Sequence, residues 1–155
     1  MARKLHISLT ELKEYAGRIY CFRSSLERDC EDLRLAFRRL SDTIDDETAE
    51  AFGCCVCSIE NTLQNSQAEL DELLLLILKY AVMLKRLDGE TNSKHLEWTP
   101  DKSKAFLMEF VMSIIMHAYI TSAESEYMSV ESYRREKKKS AVMIVNKVMT
   151  VLGGI

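Results

Sequence analysis

The reading of residues 8–40, SLTELKEYAGRIYCFRSSLERDCEDLRLAFRRL, decides the fold. Leu12, Ile19, Leu26, Leu33 and Leu40 recur every seven residues, and Ala16, Arg23, Cys30 and Phe37 stand four after each of the first four. Apolar side chains in alternating steps of four and three lie along one edge of a helix, the seam by which one long helix packs on another. Arg23 alone breaks the stripe, with Phe22 beside it. Ser8 and Glu11 make an S-x-x-E capping box, so the helix is predicted to begin there.

The rhythm stops near Ser41–Asp46 and resumes. Phe52, Val56, Ile59, Leu63, Ser66, Leu70, Leu73, Ile77, Tyr80, Leu84 and Leu87 again alternate steps of four and three. Two helices, about 9–43 and 47–87, are therefore predicted to pair through matching seams, each roughly 50–60 Å long at 1.5 Å per residue. The short connection makes them antiparallel neighbours. Arg34, Arg38 and Arg39 close the first helix, and Asp45, Asp46, Glu47 and Glu50 open the second, so both groups complement the helix dipoles.

Leu74, Leu75, Leu76 and Leu78 lie off that seam within the run LLLLIL, so another surface must cover them: the C-terminal third, or another polypeptide. Asp88–Pro100 reads as a polar linker, with Gly89 placed to end the second helix, Trp98 to pin the linker and Pro100 to begin the third helix. Helix three, about 100–122, presents Phe106, Leu107, Phe110, Val111, Ile114, Ile115, Ala118 and Tyr119 on one wide face, with Met108, Met112 and Met116 filling much of the rest. Helix four, about 126–152, is apolar mainly at Ala141, Ile144, Val148 and Val151, before Gly153-Gly154. The expected organisation is a long hairpin over 1–87, a linker over 88–100 and a helical pair over 101–155 packed on the hairpin. This is an all-α, four-helix-bundle-like chain.

Composition agrees. Five Gly and one Pro in 155 residues leave no room for the turns of a sandwich or barrel, or for a glycine-rich phosphate loop. The net charge of −3 is not that of a polycation seeking nucleic acid or anionic lipid. The opening MARKLHISLTELKEYAG has no apolar signal core, and the five cysteines are an odd set, which reads as reduced thiols in a cytoplasm, or export without a cleavable signal peptide. Ala105–Ile120 is short for a membrane span and contains Glu109, Ser113 and His117, so it reads as a buried helix and no integral membrane segment is expected.

Residues that could carry chemistry do not assemble. Cys54 and Cys57 have C-x-x-C spacing, yet a second ligand pair for zinc is missing, and Cys30 occupies a seam position as a small apolar residue. His6, His95 and His117 fall on three segments and in no catalytic motif. Asp45, Asp46 and Glu47 fit capping better than acid–base work. The run RREKKK, Arg134–Lys139, with Tyr133 beside it, reads as a solvated helix face. No catalytic residue, cofactor or metal is expected.

The turn position carries a resemblance. Ile44-Asp45-Asp46 after a helix of about 35 residues, followed by Glu47, Ala49, Glu50, Ala51 and Phe52, is similar to the WXG-motif family, the small ESAT-like helical hairpins of type VII secretion. Ile44 stands where that family has Trp and Asp46 where it has Gly, while Ala49 and Phe52 match the positions that follow. Tyr127 and Glu131 have the spacing of the family's Y-x-x-x-D/E export motif, but in the third connection. The resemblance covers residues 5–87, and it implies a non-enzymatic protein: a secretion substrate, or an adaptor for a larger helical cargo. Leu74, Leu75, Leu76 and Leu78, with Met108, Met112 and Met116, are the expected interface with a protein partner or a second copy. The alternative is a cytosolic or viral four-helix-bundle regulator or structural protein in which helices three and four cover the leucines. A metal or thiol enzyme built on Cys54 and Cys57 is a third class.

Overall fold

A computed structural model describes residues 8–92, 99–121 and 124–153, excluding the side chains of 88–92 and 124. The fold is all-α, with α1 over Leu9–Ser41, α2 over Asp46–Asn92, α3 over Pro100–Thr121, a short 3-10 turn over Glu124–Glu126 and α4 over Val130–Val151.

Each start has a local cause. The Glu11 N–H donates to Ser8 Oγ at 3.1 Å, which caps α1, and the Ser8 hydroxyl donates to the Glu11 carboxylate at 3.3 Å. Asp45 caps α2, accepting from the Thr48 N–H at 2.8 Å and the Thr48 hydroxyl at 3.0 Å. These bonds favour the carboxylate and hold Asp45 below the ordinary aspartate range, backbone donation by Thr48 first. Thr99 accepts from the Lys102 N–H at 3.3 Å, with Pro100 opening α3. Ser129 accepts from the Ser132 N–H at 3.2 Å, so α4 begins at Val130 and not at the expected 126. Gly153, at φ 70°, ends α4 in the left-handed conformation that glycine tolerates. At the other boundary, α2 runs through Gly89 to Asn92, five residues beyond the expected end at 87. His6, Ile7, His95, Trp98 and Gly154 lie outside the described residues.

The chain divides into two compact units. One contains residues 1–20 and 73–155, the other Cys21–Glu72, so the division falls within both long helices. In the first unit, Leu12, Ala16, Ile19 and Tyr20 of α1 are buried, as are Leu74, Ile77, Leu78, Ala81 and Val82 of α2. The α3 face Leu107, Phe110, Val111, Ile114, Ile115 and Ala118 and the α4 residues Tyr133, Ala141, Val145 and Val148 complete this core. Helices α3 and α4 pack on each other. Tyr133 fastens them: its hydroxyl donates to the Ile115 carbonyl at 2.9 Å, and its ring lies 4.9 Å from that of Tyr119. Tyr119 in turn donates to the Met128 carbonyl at 2.8 Å. By length and composition α3 could cross a membrane, but in this unit its apolar face is core.

The second unit is a two-helix hairpin with far less core, Cys30 being its one fully buried apolar residue. Charge pairs tie the helices. Arg23 Nε donates to Asp71, and Arg23 also meets Glu27 at 3.1 Å on its own helix. Arg34 reaches Glu60 at 3.3 Å. Burial of the Arg23 guanidinium opposes its charge, but the hydrogen bond and charge of Asp71, with help from Glu27, outweigh this and raise its pKa. Arg34 is raised chiefly by the charge of Glu60.

Candidate interaction surface

The two seams fared differently. On α1, Leu12, Ala16, Ile19 and Cys30 are buried and Arg23, Leu26, Leu33 and Phe37 half-buried, while Leu40 is exposed at the helix end. On α2 half of the expected seam is inward: Val56, Leu63, Leu70, Ile77 and Leu84 are buried or half-buried. The other half is outward. Phe52, Ile59, Leu73, Tyr80 and Leu87 are exposed, and the inward row is Gly53, Glu60, Gln67, Leu74 and Ala81. Between residues 21 and 72 the reason lies in α1, which offers Arg34 to Glu60 and lays the Phe37 ring over Gly53, where an added Cβ would come to 3.3 Å.

The first unit has an uncovered seam on α2. Within the first unit Leu73, Leu76, Tyr80, Met83 and Leu87 repeat in steps of three and four and are 39–62% exposed. They form one ridge of about 21 Å at 1.5 Å per residue. Upstream on the same side of the helix stand Thr62, Ser66 and Glu69, so the apolar run begins at Leu73. Glu72, Lys79 and Arg86, spaced by seven, flank it on one side; Ile77 and Leu84 flank it on the other.

The chain matches no family model, no curated protein and no solved structure.

The residues singled out from sequence divide accordingly. Leu74 and Leu78 belong to the core of the first unit, Leu75 is half-buried and Leu76 is exposed on the ridge. Met108, Met112 and Met116 on α3 are half-buried. Ile44 sits half-buried in the hairpin turn, Asp46 opens α2, Ala49 is half-buried and Phe52 is exposed. Tyr127 is 79% exposed just before α4, and Glu131 is in its first turn.

The chemistry-bearing residues stay dispersed. Cys54, Cys55 and Cys57 are exposed free thiols on α2, and among the described residues no group of three or more His, Cys, Asp or Glu side chains converges. His117 is exposed on α3. The run Arg134–Lys139 is mostly exposed, with Lys137 Nζ 5.8 Å from the centroid of the Tyr133 ring. Two features of the first unit gave no sequence signal. Lys13, Lys85 and Lys102 come from three helices to an open groove of about 390 Å³ beside Phe106, Glu109 and Phe110, and the Lys13 ammonium is 5.3 Å from the Phe110 ring centroid. Tyr133, read as a neighbour of the basic run, is 1% exposed in the core. Only its place eight residues before the buried Ala141, at helical spacing, could have pointed inward.

Proposed function

We propose that this chain is a non-enzymatic helical interaction protein, resembling type VII secretion substrates or the adaptors that accompany helical toxins, and that the α2 ridge from Leu73 to Leu87 is where it docks. The observation that carries this is the ridge itself: five large apolar side chains at coiled-coil spacing, exposed on a helix whose opposite side is already core. A contiguous apolar patch with charged flanks is the usual mark of a protein contact. Knob positions three and four apart suit a helical partner. The turn position and the Ala49 and Phe52 matches support the secretion part of the reading.

Affinity capture from the source organism with wild-type protein and with Leu76→Glu tests the docking site. Leu76 is exposed, so the variant should fold, and its partners should be lost. A set of captured proteins that Leu76→Glu leaves unchanged would remove the ridge from the proposal. Appearance of the intact chain in the medium of a type VII-competent host, dependent on the export ATPase, tests secretion.

A four-helix-bundle regulator unrelated to secretion is the second reading. It is favoured by the burial of Leu74 and Leu78 in one compact unit with α3 and α4. The export assay separates the two, since such a regulator stays inside the cell.

A further inference from the structure

We propose that a groove of the first unit, lined by α1, α2 and α3, binds a small amphipathic anion: one acyl chain or ring system ending in a carboxylate or phosphate. The site is separate from the α2 ridge and does not rest on the interaction reading above.

The site begins in the helix pattern. On α2 the buried row Leu74, Leu78 and Ala81 advances by four and three, and its next position is Lys85. On α1 the position seven residues before the buried Tyr20 is Lys13. Lysine thus stands on two helices where the core rows would carry another apolar side chain, and both residues are half-buried. Lys102, in the first turn of α3, brings a third half-buried lysine to the same groove. The floor between them is apolar. Phe110 is 3% exposed, and its ring lies 5.6 Å from that of the half-buried Phe106. The Lys13 ammonium already rests on this floor, facing the Phe110 ring.

Charge chooses the ligand. Among the described residues Glu109 is the only carboxylate lining the groove, so three ammonium groups share it with one acid. The net charge of −3 also hides an uneven division. Residues 1–20 and 73–155 carry 16 Lys and Arg against 11 Asp and Glu, whereas residues 21–72 carry 5 against 13. The first unit therefore attracts anions although the chain as a whole does not. An anionic head among the lysines relieves their mutual repulsion, and an apolar tail covers Phe106 and Phe110. A volume of about 390 Å³ is near the lower end of the ~300–1,000 Å³ range of small-molecule sites, which suits one short chain or ring system.

The experiment is fluorescence displacement on the full chain at neutral pH and low salt. The probe is the aromatic sulfonate 8-anilinonaphthalene-1-sulfonate, and the competitor is octanoate. Octanoate should displace the probe, and 1-octanol and inorganic phosphate, each of which supplies half of the ligand, should be at least roughly tenfold weaker. Lys13→Gln and Lys85→Gln should each weaken octanoate roughly two- to fivefold, and the pair roughly tenfold, with helicity checked by circular dichroism. Phe106→Ala should weaken it roughly fivefold. Arg135→Gln on α4 and Leu76→Glu on the ridge should leave it unchanged. A measurement on wild type alone guards against misfolded variants: added salt should weaken octanoate several-fold and leave octanol unaffected. Failure of octanoate to displace the probe overturns the proposal, as does displacement indifferent to the lysine pair or to salt. Octanol as strong as octanoate overturns the requirement for an anion. Displacement lost in Leu76→Glu but kept in the lysine pair puts the probe on the ridge and overturns the site. Lysine-dependent binding to vesicles of phosphatidylglycerol and phosphatidylcholine, without octanoate binding, overturns a free small ligand in favour of a bilayer.

Discussion

Leu76 and Leu78 are two residues apart in an unbroken leucine-rich run, and truncating each to alanine separates the two sides of α2. Leu78 is 0% exposed and Leu76 is 62% exposed. Both substitutions change helix propensity by the same small amount, so the difference between them reports environment alone. Removing a fully buried leucine costs its transfer free energy plus the cavity left behind, about 3 kcal/mol within a usual span of about 2–5. At position 76 only about a third of the side chain is withdrawn from water, which scales the loss to roughly 1 kcal/mol or less. For a chain of this length about 3 °C of melting temperature accompanies each kcal/mol, so Leu78→Ala should melt about 9 °C lower and Leu76→Ala within about 3 °C of wild type. The assay is thermal unfolding followed by circular dichroism at ~1 µM, where ridge association would not add to stability. Equal shifts for the two variants, or a larger one for Leu76→Ala, would mean that α2 is rotated about its axis from the orientation described here, and the ridge would no longer be the exposed side.

Tyr133→Phe keeps the ring against Tyr119 and deletes the hydroxyl that donates to Ile115; because the Ile115 carbonyl retains its helix hydrogen bond, the loss should be about 1 kcal/mol in denaturant unfolding. Asp45 has a folded-state pKa below its unfolded value, so its stabilisation is complete above ordinary aspartate pH, about 3.9, and is lost as pH falls through the folded value. Asp45→Asn, which still caps, should therefore show a shallower decline in stability between pH 5 and 2 than wild type. Three thiols, Cys54, Cys55 and Cys57, should react rapidly with an aromatic disulfide reagent in native protein, Cys21 more slowly, and Cys30 only on unfolding. Gly17→Ala, at a helical position where an added Cβ meets nothing within 4 Å, should raise stability by about 1 kcal/mol.

The helices were legible because their signals are local. Ser8 with Glu11, Asp45 and Pro100 mark starts by satisfying or dispensing with orphan N–H groups, and each of those starts is where the sequence pattern puts it. The start of α4 was missed because Ser129, its actual cap, stands beyond a 3-10 turn with no distinguishing pattern of its own. The stop at Gly89 was misplaced because a glycine inside a helix costs only about 1 kcal/mol and does not compel termination. The candidate surface was half legible. The LLLLIL run signals more apolar area than one seam can use, but a run in which every position is apolar contains no periodicity to say which leucines face the core. Leu74 and Leu78 and Leu76 are alike in sequence and opposite in burial.

In the second unit, charge pairing selects the inward side of α2. Had α2 turned Phe52 and Ile59 toward α1, this unit would have buried larger apolar side chains. Arg34 would then have lost Glu60, and Arg23 would have been held in the seam without Asp71. Leaving such a charge half-buried and unpaired costs more than a surface ion pair contributes, because the desolvation remains when the partner is gone. The observed rotation instead pairs both arginines, lets the Phe37 ring settle over Gly53 and accepts a thin core between residues 21 and 72. In the first unit, Leu74, Ile77, Leu78 and Ala81 are core and the Leu73–Leu87 ridge is exposed, an arrangement set by what α1, α3 and α4 of that unit bury.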